Sequence, residues 1–114
     1  MAKLDYDALL GAVYFEAGDL PAATRTLQRV LAAAPDRPAL WLYLAQALLK
    51  AERFAEAADA FAKGAPAAEG EPVLYGLWAR AHLKAGAPQR ALDVLRQGLV
   101  RAPGADLLRR EAAL

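Results

Sequence analysis

Residue types recur along the chain with a period of 34 residues. The recurrence holds for small residues and for large apolar residues alike. Its clearest members are Gly11, Ala45 and Ala79; Ala23, Ala57 and Ala91; and Leu27, Phe61 and Leu95. Self-similarity at a fixed period of this size is typical of architectures in which one supersecondary unit stacks on the next. The repeat therefore predicts a solenoid.

The composition favours helices throughout this solenoid. Hydrophobic residues make up 57% of the chain, and β-branched residues are few beside Ala, Leu, Arg and Glu, which lose little side-chain freedom in a helix. At 114 residues the chain is long enough for one domain with its own core. Residues 1–114 are therefore predicted to form a single all-α domain.

Glycine and proline divide the chain into three helical hairpins. Gly18-Asp19 and Gly86-Ala87-Pro88 are predicted turns, because Gly ends a helix cheaply and Pro suits a first helical turn. A looser connection is expected between Gly64 and Pro72, since Glu69 stands where the period would place a proline. The predicted units are residues 4–37, 38–71 and 72–105, followed by a terminal helix over residues 106–114 with Asp106 as its N-cap. This last segment is either a natural cap or the start of a further unit, and the sequence favours the second.

The repeated units resemble tetratricopeptide repeats from about Leu4 to Ala105. In the first unit the matching residues are Leu10-Gly11, Tyr14, Gly18, Ala23, Leu27 and Pro35. In the second they are Trp41, Leu44-Ala45, Leu48, Ala57 and Phe61, and in the third Ala79, Gly86, Ala91, Leu95 and Pro103, with Tyr75 where Trp is usual. The departures are Asp7 where Trp is usual, Glu69 for Pro, and Gly64 and Gly98 where Ala is common. The resemblance implies a right-handed α-solenoid of three helix-turn-helix repeats plus a short C-terminal helix, with first helices lining a concave face.

Several functional classes are disfavoured by the residues present. The 14 Lys and Arg are spread along the chain and nearly cancel the 13 Asp and Glu, so nucleic acid is not an expected partner. The chain has no cysteine, no recognisable signal peptide and no apolar run long enough to cross a membrane, so a soluble protein is expected. The compartment stays open, with the cytoplasm favoured, and the Ala-, Leu-, Arg- and Gly-rich composition suits a bacterium.

No catalytic or cofactor-binding pattern is present in the sequence. His82 is the only histidine, and it stands where the other units have Tyr14 and Leu48, so it is predicted to pack in the core. Asp5 and Asp7 are interpreted as charges at a helix start rather than metal ligands. A non-enzymatic protein without metal or cofactor is therefore predicted.

The resemblance implies that the first-helix residues not used in packing between helices line the concave groove. The predicted partner-binding residues are Leu9, Ala12, Phe15, Leu42, Tyr43, Gln46, Leu49, Val73, Leu77, Arg80, Leu83 and Lys84. Most are apolar, so the groove is expected to hold an apolar or amphipathic segment of a partner protein, with Gln46 and Arg80 setting its register. This indicates an interaction scaffold or adaptor, and small chaperones of bacterial secretion systems with similar repeats offer one analogy. The alternatives are a self-assembly module that binds a second copy, or a fragment of a longer array.

One partner known for the family is disfavoured by the residues at its binding positions. The clamp that grips the acidic C-terminus of the large heat-shock chaperones requires Lys, Asn and Arg side chains. The corresponding residues here are Ala8, Ala12, Tyr43, Val73 and Leu77. Clamp-type binding of a chaperone tail is therefore not expected.

Overall fold

The computed structural model describes residues 2–69 and 71–101, the last three of these by backbone alone. The helices are α1 (Lys3–Glu16), α2 (Leu20–Ala33), α3 (Pro38–Lys50), α4 (Phe54–Gly64), α5 (Pro72–Lys84) and α6 (Pro88–Arg101), with a 3₁₀ turn at Ala65–Ala68. No strand occurs within these residues. The predicted all-α fold of helix-turn-helix units is confirmed. The predicted terminal helix at residues 106–114 lies outside the described residues.

Helix starts follow the turn chemistry of the sequence. Pro21 lies in the first turn of α2, where the carboxylate of Asp19 accepts a hydrogen bond from the Ala22 N–H at 3.2 Å. Pro72 and Pro88 begin α5 and α6. The N–H groups of a first helical turn have no partner within the helix. A proline there therefore begins the helix without loss of a helical hydrogen bond.

Small residues allow the two helices of each hairpin to approach closely. Ala23, Ala45 and Ala57 are fully buried, and Phe61 and Tyr75 fill the space between the second and third hairpins. The helices α1 with α2, α3 with α4 and α5 with α6 pack as hairpins, while α2 packs on α3 and α4 on α5. Burial of this shared apolar surface is the main stabilising contribution to the stack. In the part of the chain that is described, no helix is long and apolar enough to span a membrane.

The first part of the connection between the second and third hairpins is helical, where a looser turn was expected. Residues Ala65–Ala68 form a 3₁₀ turn that packs on α3, and Ala68 is buried in the core. The Glu71 N–H donates to the Ala68 carbonyl at 2.9 Å and closes the turn before α5. The buried Ala68 side chain therefore fixes this turn to the core.

Val13 of α1 differs in burial from the equivalent residues of the other units. Its side chain is 53% exposed, whereas Gly11 on the same helix is buried. The equivalent residues of the next two units, Ala47 and Ala81, are fully buried. In the second and third units this position packs on the preceding hairpin.

The turn residues at positions 18, 52 and 86 share one backbone conformation, and the middle one is not glycine. Gly18, Glu52 and Gly86 have φ of 82°, 63° and 84°. A side chain in the left-handed region is strained, so we expect Glu52→Gly to raise the free energy of unfolding by about 0.5 to 1 kcal/mol in urea titrations followed by circular dichroism. Glu56→Gly, in the first turn of α4, should instead lower it by about 1 kcal/mol, because glycine is a poor helix former and the ion pair of Glu56 with Arg53 is lost. A loss of stability in both variants would contradict the prediction.

Candidate functional site

A groove of about 390 Å³ lies between α3 and α5 on the side formed by the first helices. It is lined by Gln46, Leu49, Lys50, Glu52, Phe54, Leu77, Arg80 and Lys84, and is called the α3–α5 groove. Five of the residues in this lining, Gln46, Leu49, Leu77, Arg80 and Lys84, belong to the predicted binding set. The 34-residue period brings them together because equivalent faces of successive first helices lie side by side.

The α3–α5 groove has an apolar floor and a charged rim. Leu49, Phe54 and Leu77 are half-buried, while Arg80 and Lys84 are exposed. Neither cation forms an ion pair with another residue in the ranges 2–69 and 71–101. This arrangement suits a ligand that offers apolar side chains on one face and acidic side chains beside it.

Two side chains beside the apolar floor have contacts that fix their position. Gln46 donates from Nε2 to the Leu42 carbonyl at 3.2 Å, which holds its amide against its own helix. The Lys50 ammonium lies 4.7 Å from the centroid of the Phe15 ring, within the range of a cation–π interaction. Lys50 therefore closes the end of the groove that faces α1.

Tyr43 links the first two hairpins. Its ring meets the Phe15 ring edge-on, with centroids 5.8 Å apart and an interplanar angle of 73°. Phe15 is buried and Tyr43 is half-buried. Phe15 is therefore a packing residue, which corrects its predicted place on the contact surface, whereas Tyr43 keeps part of its ring exposed.

Leu42 is also buried, and its predicted role as a groove residue is corrected in the same way. A Cβ placed on Gly64 would lie 2.6 Å from Leu42 Cδ2, so the end of α4 lies directly against this side chain. The ordered 3₁₀ turn that follows Gly64 packs on α3 as well. Because the connection was expected to be loose, this cover could not be anticipated from the first-helix pattern.

The remaining predicted residues lie outside the lining of the α3–α5 groove. Leu9, Val73 and Leu83 are exposed, and Ala12 is half-buried. Leu83 instead lines a second cleft, between α5 and α6. Sequence reasoning missed Glu52 and Phe54, which enter the groove from the turn and the start of α4 rather than from a first helix. Both residues follow the first helix of the second unit, so a search of first-helix residues does not include them.

His82 is half-buried and lies outside the groove lining. Its ring is 6.4 Å from the Trp78 ring, measured between centroids. Burial lowers the pKa of His82 below the ordinary value of 6.5, the positive charge of Arg90 lowers it further, and Asp59 acts in the opposite direction. His82 is therefore a packing residue beside Trp78. Within residues 2–69 and 71–101, no three potential metal ligands of the His, Cys, Asp or Glu type come together.

A larger depression of about 540 Å³ lies on the α2 and α4 side of the stack. Its central side chain, Trp41, already donates from its indole N–H to the Pro35 carbonyl at 2.8 Å. The Lys63 ammonium covers the Trp41 ring at 4.5 Å from its centroid. Since its aromatic surface is engaged by the chain itself, this depression is a weaker candidate than the α3–α5 groove.

Comparison with known proteins identifies the same repeat. A family model described as tetratricopeptide repeat matches residues 14–80. No curated protein sequence matches the chain significantly. Among solved structures, MamA of MSR-1 has a TM-score of 0.82 at 21% identity, with 98% of this chain and 64% of that chain covered. MamA of AMB-1 has a TM-score of 0.74 at 23% identity, with 85% and 57% covered. The chain thus spans less than two thirds of either MamA chain.

Two further neighbours were solved with peptides. The first TPR of Spaghetti (RPAP3), bound to the HSP90 peptide SRMEEVD, has a TM-score of 0.81 at 19% identity, covering 97% of this chain and 88% of that one. The second TPR domain of human RPAP3, in complex with the HSP70 peptide SGPTIEEVD, has the same TM-score and identity, covering 96% and 95%. At these identities the similarity shows a shared fold.

Proposed function

Since the chain belongs to the tetratricopeptide repeat family, we propose that it is a non-enzymatic adaptor that holds an amphipathic segment of a partner protein in the α3–α5 groove. The observation that carries the proposal is the pairing of an apolar floor, formed by Leu49 and Leu77, with cations that have no ion-pair partner among the described residues. The segment would bury its apolar side chains on that floor and turn its acidic side chains toward Arg80 and Lys84.

The proposed segment differs from the peptides held by the two RPAP3 domains. Those peptides end in the sequence EEVD. The positions that correspond to a carboxylate clamp hold Ala8, Ala12, Tyr43, Val73 and Leu77 here, and none of them is Lys, Arg or Asn. We therefore propose that internal apolar and acidic side chains, rather than a terminal carboxylate, supply the recognition.

Leu77→Glu is expected to abolish binding of the partner segment. The half-buried Leu77 side chain lines the apolar floor, and a carboxylate there removes apolar contact and repels an acidic ligand. Peptides selected from a random library on the wild-type chain should carry apolar residues at helical spacing, which form one face of a helix. Acidic residues should lie beside that face. Their affinity, measured by fluorescence anisotropy, should fall by at least about tenfold in the variant.

Leu92→Glu is the matched control for this measurement. Leu92 is also half-buried, but it lies on α6 and lines the α5–α6 cleft instead of the groove. Both variants should retain the helical circular dichroism of the wild type. Equal affinity of the selected peptides for wild type and Leu77→Glu would refute the groove, and selection of peptides that depend on a free C-terminal carboxylate would refute the proposed chemistry.

A further inference from the structure

The first helix of each later hairpin packs on the hairpin before it. Three equivalent positions of that first helix take part in this contact. In α3 these are Leu40, Tyr43 and Ala47, of which Tyr43 contacts Phe15 and Ala47 packs with Phe15 and Ala23 of the first hairpin. In α5 the equivalent residues are Leu74, Leu77 and Ala81, which pack against the shared core. Ala47 and Ala81 are both fully buried by this contact.

The same three positions of α1 are open. They hold Tyr6, Leu9 and Val13, whose side chains are 59%, 55% and 53% exposed. They form one apolar stripe, since residues three and four apart share a helix face. This stripe, called the α1 face, is the helical surface that would contact a preceding hairpin.

Among the residues that the structure describes, none covers the receiving surface of the third hairpin. A cleft of about 460 Å³ between α5 and α6 is lined by Gly76, Ala79, Arg80, Leu83, Pro88, Ala91, Leu92 and Leu95. Its floor, formed by Ala79, Ala91 and Leu95, is buried, as are the equivalent residues Ala45, Ala57 and Phe61 one unit earlier. Its edge is accessible, because Arg80, Leu83 and Pro88 are exposed. The exposed fraction of the side chain at one repeat position rises from unit to unit. The residue is the buried Phe15 in the first unit, the half-buried Leu49 in the second and Leu83, which is 58% exposed, in the third.

The charges at the edge of these two open surfaces are complementary. The ammonium group of Lys50, the last residue of α3, lies over the Phe15 ring in the last turn of α1. The last residue of one first helix is therefore close to the last turn of the first helix before it. The equivalent residue is Glu16 in α1 and Lys84 in α5. Neither forms an ion pair with the residues that the structure describes. An α1 seated in the α5–α6 cleft would therefore bring an acidic group toward a basic one.

We propose that copies of this chain stack head to tail, with the α1 face of one copy docked in the α5–α6 cleft of the next. The contact repeats, between two molecules, the packing that joins hairpins within one molecule. It is heterologous, because different surfaces of the two copies meet, so each pair leaves one α1 face and one cleft free for further copies. The occupant of the cleft is thus a second copy of the chain, and the stack extends the solenoid.

Two variants that each remove one half of the contact test this arrangement. Val13→Glu places a charge on the α1 face, and Leu92→Glu places one in the cleft, while neither residue lines the α3–α5 groove. The mass of the wild type, measured by sedimentation velocity, should rise with concentration beyond that of a dimer. Each variant alone should stay at the monomer mass. An equimolar mixture should form a dimer and stop there, because only one competent α1 face and one competent cleft remain.

A second pair of variants covers the case in which Leu92→Glu does not fold. Glu16→Lys and Lys84→Glu should each weaken assembly by about twofold to fivefold, and the double variant should recover it. Circular dichroism identifies a variant that has lost its helices.

Three results would overturn head-to-tail stacking. The first is a wild type that is monomeric at every concentration. The second is an equimolar mixture of the two variants that fails to form a dimer. The third is a monomer that assembles only after residues 106–114 are deleted, since the chain would then occupy its own cleft. Peptide binding by Leu92→Glu, or by Glu16→Lys where Leu92→Glu does not fold, is a separate readout, because neither residue lines the α3–α5 groove. Failure of stacking and failure of the groove are therefore distinguishable.

Discussion

Phe61→Ala is expected to lower the free energy of unfolding by about 3 to 5 kcal/mol, the largest effect of any substitution considered for this chain. The Phe61 side chain is 1% exposed and belongs to the core between the second and third hairpins. Its removal loses the transfer free energy of the ring and leaves a cavity that helices held from both sides cannot close. The equivalent residues Leu27 and Leu95 are also buried, so the position is used in every unit.

Phe54→Ala is the control that separates burial from aromatic content. Phe54 is half-buried at the start of α4, where its ring lines the α3–α5 groove. Its loss should cost about 1 kcal/mol, roughly half of what full burial of such a ring contributes. Urea unfolding followed by circular dichroism gives both values. Similar losses for the two variants would mean that the core between the second and third hairpins is not close-packed around Phe61.

The hairpins could be predicted because their signals are local. Gly18 and Pro21 end one helix and begin the next within a few residues, and the same chemistry recurs at Gly86 and Pro88. The small residues at Ala23 and Ala57 likewise occur at the spacing that close helix packing demands. Each feature depends on a short stretch of chain, so the sequence carries it without knowledge of the tertiary structure.

The groove was predicted less well because its lining depends on contacts across the fold. Leu42 was expected to face a ligand, but Gly64 and the following 3₁₀ turn cover it. Phe54 begins α4 and belongs to no first helix, yet it lines the groove together with Leu77. The repeat pattern identifies which first-helix residues can face the concave side. It does not identify which of these residues a later turn will bury.

Gly64→Ala is expected to destabilise the chain by about 1 to 3 kcal/mol, against both the repeat pattern and helix propensity. Alanine is common at this position in the family that the sequence resembles, and Ala is favoured over Gly in a helix by about 1 kcal/mol. Gly64 has an ordinary backbone conformation, with φ of −88°, so no glycine is required by the backbone. The obstacle is Leu42, whose Cδ2 would lie 2.6 Å and whose backbone N would lie 3.0 Å from the new Cβ.

Gly76→Ala should have the opposite sign and serves as the matched control. Gly76 lies inside α5, and a Cβ there would meet nothing within 4 Å. The substitution is expected to raise the free energy of unfolding by about 0.5 to 1 kcal/mol through helix propensity and reduced freedom of the unfolded chain. Both variants are compared in urea at concentrations low enough to keep the chain monomeric. Stabilisation by Gly64→Ala as well would show that α4 shifts freely on α3.

A double-mutant cycle with Leu42→Ala locates the cause of the Gly64→Ala effect. Truncation of Leu42 removes the Cδ2 contact and leaves only the backbone contact at 3.0 Å. If side-chain overlap dominates, Gly64→Ala should cost less in the Leu42→Ala background than in the wild type, with a coupling of about 0.5 to 3 kcal/mol. If the cost is unchanged, the helix backbones themselves are in contact. In that case glycine at position 64 sets how closely α4 approaches α3, and with it how the 3₁₀ turn comes to cover Leu42.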